Sequence, residues 1–197
     1  MRPLTDALER AGVRQGMTAA AGVALSTGFP DLDRCLEGGG WPAGTLIELR
    51  ATRVGIGEMG LLLPFLSAVS RSGRLLWVAP PYKPCALTLT ARHVTLDHLV
   101  VVRPRTHKEA LWTVSEGLLS PAVGAVVTWF TDLREREFRA LQRQAAEGGQ
   151  WGFCFLPRDH AAQPARLRLI LEPVPRGVRV IFARQAGRPA GPLTVTI

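Results

Sequence analysis

The chain has 197 residues, 47% of them hydrophobic and 20% charged, which fits one ordinary folded domain and argues against a disordered chain. Its formal net charge of +8 gathers late, with seven arginines against Asp159 and Glu172 over residues 157–197; acidic proteins and nucleic acid both qualify as partners, beside the plainer reading of a solvated basic face. No apolar run reaches the roughly 20 residues that span a bilayer, and residues 1–20 lack the apolar core of a secretory signal, so the expectation is a cytoplasmic protein.

Residues 1–24 read as an N-terminal extension and residues 25–197 as one domain. Short apolar runs then alternate with helical patterns, the mark of an α/β fold with a mostly parallel central sheet flanked by helices. Residues 45–50 (TLIELR) read as the first strand, and residues 57–71 as a helix with a kink at Pro64. The second strand falls at 74–79, closed by Pro80 and Pro81, and the third at 99–102, followed by a helix over 106–119. Residues 125–130 (AVVTWF) are apolar enough for a central strand. The next segment, 133–147, is amphipathic, with Leu133, Phe138, Leu141 and Ala145 inward and Arg136, Arg139 and Arg143 outward. A fifth strand is read at 151–156. Strands at 167–171, 178–184 and 193–197 then follow with no helix between them, which reads as an antiparallel C-terminal extension.

The most informative stretch runs from the first strand into the first long helix. A strand, a glycine-containing loop and a helix in that order can cradle phosphate, given the spacing G-x-x-x-x-G-K-[ST]. Glycines let backbone N–H groups approach, Lys neutralises the outer phosphates and the hydroxyl holds magnesium. Here Thr52 stands at the first glycine, Gly57 at the second, Glu58 at the lysine and Met59 at the hydroxyl. A carboxylate in the first turn of a helix complements the positive end of the helix dipole and fits the place of the missing phosphate. Arg53 is the one cation left in the loop to meet an anion.

Little other chemistry is legible. Cys35, Cys85 and Cys154 lie far apart and read as buried thiols, and His93, His98, His107 and His160 form no ligand pair, so no metal site is expected. Asp31, Asp33 and Glu37 suit the exposed face of a short helix, and Glu48 reads as a buried, hydrogen-bonded carboxylate within the first strand.

The run STGFPDLD with GGGWPAGTLIEL resembles the entry to the core of RecA-type ATPases. LVVVRPRTHKEALWTV is similar to the third strand and following helix of that core, and AVGAVVTWFTDL to its fourth strand. The resemblance implies a RecA-like core and shows what has gone. The magnesium-orienting Asp is matched by Thr128, the catalytic Glu by the segment APPYKP, and the γ-phosphate-sensing Gln by Leu156 and Pro157. A pseudo-ATPase is implied, with degenerate Walker A and Walker B elements, no catalytic residue and no cofactor.

A narrower resemblance rests on STGFPDLD, GGGWPAG, GIGEMGLLLP, WVAPPYKP, VVRP, EALW and LRLILEP, which together look like the ImuA family, also described as SulA-like or RecA-like. It implies an inactive adaptor in the SOS response to DNA damage, serving translesion DNA synthesis. The implied partners are ImuB, an inactive Y-family polymerase, with RecA and an error-prone C-family polymerase. The alternative is a SulA-like inhibitor of cell division that binds the tubulin-like division protein. A surviving nucleotide-dependent enzyme is the third reading.

RecA-type subunits join by lending an N-terminal strand to a neighbour's sheet edge, and the resemblance puts that edge on residues 99–102. An open edge accepts a partner by strand addition, which makes Leu99, Val100 and Val102 the docking residues. Leu111, Trp112 and Val114 of the following helix are flanking candidates that equally suit ordinary packing on the sheet. Val100→Pro is the matching test. Of the two loops that carry DNA contacts in RecA, the first is cut to Thr131 and Asp132, and the second, residues 157–166, holds no aromatic residue to stack a base. Weak, salt-dependent nucleic-acid binding then falls to Arg158, Arg166, Arg168, Arg176 and Arg179.

Overall fold

The computed structural model describes residues 23–185 and 192–196. The expected N-terminal extension lies outside them apart from its last two residues, as does Ile197. An eight-stranded sheet forms the middle layer, in the order β10-β9-β8-β3-β7-β6-β4-β5. Its strands are β3 (Thr45–Ala51), β4 (Arg74–Val78), β5 (Leu99–Val102), β6 (Val123–Trp129), β7 (Trp151–Pro157), β8 (Leu167–Val174), β9 (Gly177–Gln185) and β10 (Leu193–Val195). A separate two-stranded ribbon pairs β1 (Ala24–Leu25) with β2 (Trp41–Pro42).

Among the described residues five α-helices lie against the large sheet: α1 (Pro30–Cys35), α2 (Glu58–Val69), α3 (Ala86–Ala91), α4 (His107–Leu119) and α5 (Glu135–Gly148). The first three pack on one face with Ile47, Leu49, Trp77, Val127 and Phe153, while α4 and α5 pack on the other with Leu46, Leu76, Val126 and Leu156. Covering both faces explains why β3, β6 and β7 are buried along nearly their whole length, and why β6 and β7 are mostly apolar. The amphipathic reading of α5 holds, with Phe138, Leu141 and Ala145 buried and its arginines exposed. α2 runs through Pro64 to Val69 at the cost of one backbone hydrogen bond.

The entry turn ahead of α1 is structural. Asp33 accepts hydrogen bonds from the Ser26 hydroxyl at 2.6 Å and the Thr27 N–H at 2.8 Å, closing the turn ahead of α1. Gly28 sits there at φ +87°, and a Cβ would fall 2.3 Å from Pro64 Cβ, so only glycine fits. At the bottom of the sheet, Trp41, Phe65, Trp151 and Phe153 meet edge-on at centroid distances of 5.3–5.6 Å, and Trp151 Nε1 donates to the Trp41 carbonyl at 2.8 Å. This aromatic cluster clamps the ribbon to β7.

The antiparallel C-terminal extension is present, since β8 pairs with β9 and β9 with β10 in antiparallel fashion, but its first strand joins the core in parallel, β8 beside β3. Since β7 and β8 flank β3 and run the same way, residues 158–166 must cross back over β3 without a helix. An irregular crossing leaves backbone carbonyls in need of donors. β3 supplies one from within: Arg50 donates to Arg158 O at 3.1 Å and Ala161 O at 2.8 Å. Arg168, at the start of β8, donates to Gln163 O. Between the two guanidiniums lies Glu48, fully buried, accepting from Arg50 Nε and Arg168 Nε at 2.7 Å each. Glu48 is therefore the buried, hydrogen-bonded carboxylate expected from the sequence.

Candidate functional site: a loop closed by Glu58, a cleft and a sheet edge

β3 delivers the chain to the loop over residues 52–57, which turns through Gly55 at φ +84° and Gly57 at φ +95° into the N-terminus of α2. Both carboxylate oxygens of Glu58 lie 3.1 Å from the Gly55 N–H, and the side chain is almost wholly buried. A backbone donor of the loop thus already holds an anion supplied by the chain. Met59 packs against the core beside it, while Thr52 and Arg53 stay exposed. Thr128 is wholly buried on β6, and its hydroxyl has no hydrogen-bond partner among the described residues. It does not line the cleft above.

That cleft, of about 980 Å³, opens over the C-terminal ends of β3, β4, β6 and β7. Parallel α/β sheets bind ligands at this end of their strands. Its floor includes Trp129 and Phe155, stacked at 5.2 Å with their planes 9° apart, together with Phe130, Leu156 and Pro157. Arg53, Arg105, His107 and Arg158 stand around it. The sequence reading had singled out Arg53 and Arg158 for other reasons and passed over Arg105, Trp129 and Phe155. Sequence alternation along β6 and β7 does not reveal which ring ends beside which.

The third element is the open side of the sheet. Among the described residues β5 is its terminal strand, paired with β4 on one side only. The Ala79 N–H donates to Val102 O at 2.9 Å, so Val102 turns its peptide groups toward β4. Along a strand these groups alternate sides, which turns Val100 toward β4 as well and leaves those of Leu99 and Val101 facing outward. Val100→Pro would therefore break an internal ladder bond, and Val101→Pro is the substitution that tests the edge. Beside it a groove of about 430 Å³ runs between β5 and α3, lined by Leu89, Leu96, Leu99 and Val101 and bounded by Lys83 and Arg103. Leu87 and Tyr82 stand 83% and 69% exposed nearby.

Of the flanking candidates, Trp112 is 38% exposed and Leu111 half-buried, but Val114 is fully buried beneath α4 and reaches no partner. The basic residues also separate. Arg168 belongs to the internal ion pair with Glu48, which removes it from any nucleic-acid surface. Arg158 and Arg179 share Glu172, at 2.7 and 3.9 Å. Arg166 and Arg176 are exposed, just beyond opposite ends of β8, and so form no patch together.

The thiols differ from expectation. Only Cys154 is buried, where burial first and the Glu48 carboxylate second push its ionisation far up. Cys35 is half-buried and Cys85 exposed. A hydrogen bond from the Thr88 side chain lowers the Cys85 thiol below its ordinary value. At neutral pH, iodoacetamide is expected to label Cys85 well before Cys154, as read by peptide mass spectrometry.

No family model matches the chain. Cell division inhibitor SulA of Serratia proteamaculans (strain 568) is 28% identical over 99 residues, which cover 50% of this chain. The chain spans 59% of the length of that curated relative. The crystal structure of SulA from Pseudomonas aeruginosa is similar over 59% of this chain and 99% of that one, at 22% identity and a TM-score of 0.48. Among the described residues no helix is long and apolar enough to cross a membrane. The sequence similarity found is to a cell-division inhibitor, which overturns the expectation of an adaptor for translesion DNA synthesis. The similarity in sequence to SulA is confined to those 99 residues.

Proposed function

We propose that this chain inhibits cell division by binding the tubulin-like division protein, without using nucleotide. The observation that carries the reading is the sequence similarity to the division inhibitor SulA. Two features of the site support a binding role. Glu58 fills the loop that would otherwise receive phosphate, as in a RecA-like core converted from hydrolysis to docking. The edge of β5 offers outward N–H and C=O groups beside an apolar groove, the arrangement that strand addition requires.

Two measurements test this. Induced expression in a rod-shaped bacterium is expected to produce filaments, and the purified chain to co-purify with the tubulin-like division protein. Val101→Pro removes one outward donor on a side that faces solvent, so folding is retained. It is expected to weaken that binding about tenfold or more, since main-chain bonds carry affinity in strand addition. Cells that divide normally, together with no co-purification, would rule the function out. Retained binding by Val101→Pro would rule out only the edge.

A further inference from the structure

We infer that the cleft over the strand ends is a binding site for a short, extended peptide segment with acidic residues flanking an aromatic side chain. This is independent of the division reading and of the β5 edge. The cleft is too large to be a packing defect and falls within the range of ligand sites. Its floor is aromatic, through Trp129, Phe130 and Phe155. An apolar planar group is thereby accommodated at the centre.

Charge selects the rest of the ligand. His107 is engaged by Glu137 at 3.1 Å and Arg158 by Glu172, while Glu58 is committed to the Gly55 N–H. What remains is Arg53 and Arg105, both exposed with no side-chain partner among the described residues, against Asp159 alone. The cleft is therefore complementary to an anion. Polyphosphate is disfavoured at the loop, where Glu58 holds the donor. Carboxylates spaced along a chain avoid that point.

Spacing favours a peptide over a compact anion. Arg53 follows β3 and Arg105 follows β5, four strand positions away in the sheet. At about 4.8 Å per strand this is about 19 Å, the span of an extended segment of about six residues. Acidic residues at its two ends reach the two guanidiniums while an aromatic residue between them meets the floor.

The test is an anisotropy titration of the intact chain with a fluorescein-labelled hexapeptide carrying two acidic residues at each end and phenylalanine and alanine between. Saturable binding is expected, weakened by added salt and by replacing the phenylalanine with alanine. Arg53→Glu and Arg105→Glu are each expected to weaken it about tenfold or more. Neither side chain has a partner among the described residues to lose, so the circular dichroism should not change. Should either glutamate variant melt early, Arg53→Gln or Arg105→Gln gives the same reading with a smaller loss. Three results would overturn the inference: no binding at about 1 mM peptide, affinity indifferent to both arginines, or tighter binding of hexathymidylate than of the peptide.

Discussion

Replacing Glu48 by Gln is expected to lower the unfolding free energy by about 3–5 kcal/mol, the usual loss when one partner of a buried ion pair is removed. The physical reason is local. Glu48 is fully buried on a central strand with a guanidinium on each oxygen, and both arginines are themselves mostly buried. Without the carboxylate, two adjacent cations stay in the interior with only backbone carbonyls to balance them. For a domain of this size, that loss corresponds to a melting-point drop of about 6–20 °C in a thermal scan. The crossing segment should loosen first, so trypsin is expected to cut after Arg158 sooner than in the parent. Replacing Glu48, Arg50 and Arg168 together by apolar residues is expected to recover much of the loss, because the stranded charges go too. A Glu48→Gln change below about 1 kcal/mol would show that water already reaches the pair.

Calorimetric titration with ATP and magnesium is expected to detect no binding tighter than about 100 μM. At about 4 Å and an effective dielectric near 20, a charge pair is worth about 4 kcal/mol. Exchanging an attractive lysine for a repulsive carboxylate therefore reverses about 8 kcal/mol, close to six decades in affinity before solvent screening. Glu58 also gives up its contact with Gly55 if it swings aside. Restoring Lys at 58 alone is not expected to rescue magnesium-dependent binding, because Met59 has no hydroxyl and Thr128 does not reach the cleft. Tight binding by the parent chain would mean that the carboxylate leaves the loop readily.

Much of the architecture was legible in the sequence, for reasons that residues make plain. The seven-residue apolar run of β6 and the arginine-faced α5 carry their periodicity openly, and a buried Glu48 is implied by a carboxylate amid TLIELR. The order of strand, glycine-containing loop and helix was legible because Gly55, Gly57 and Glu58 stand together between two apolar runs. Strand direction was not. A segment without a helix between β7 and β8 looks like a hairpin connection, and nothing local in PRDHAAQPAR says that it crosses β3. That became visible only once Arg50, Glu48 and Arg168, separated by up to 120 positions, met in space. The same blindness misplaced Arg168 on a basic surface and Val114 at an interface. It also hid the cleft, whose cations and rings come from several strand ends.

The flank formed by β5 is a single strand wide, with one groove beside it. Any two guests that lengthen the sheet at this place must exclude each other, whatever their sequences. Under the proposed strand addition, one such client is therefore held at a time, and its release is the condition for receiving the next.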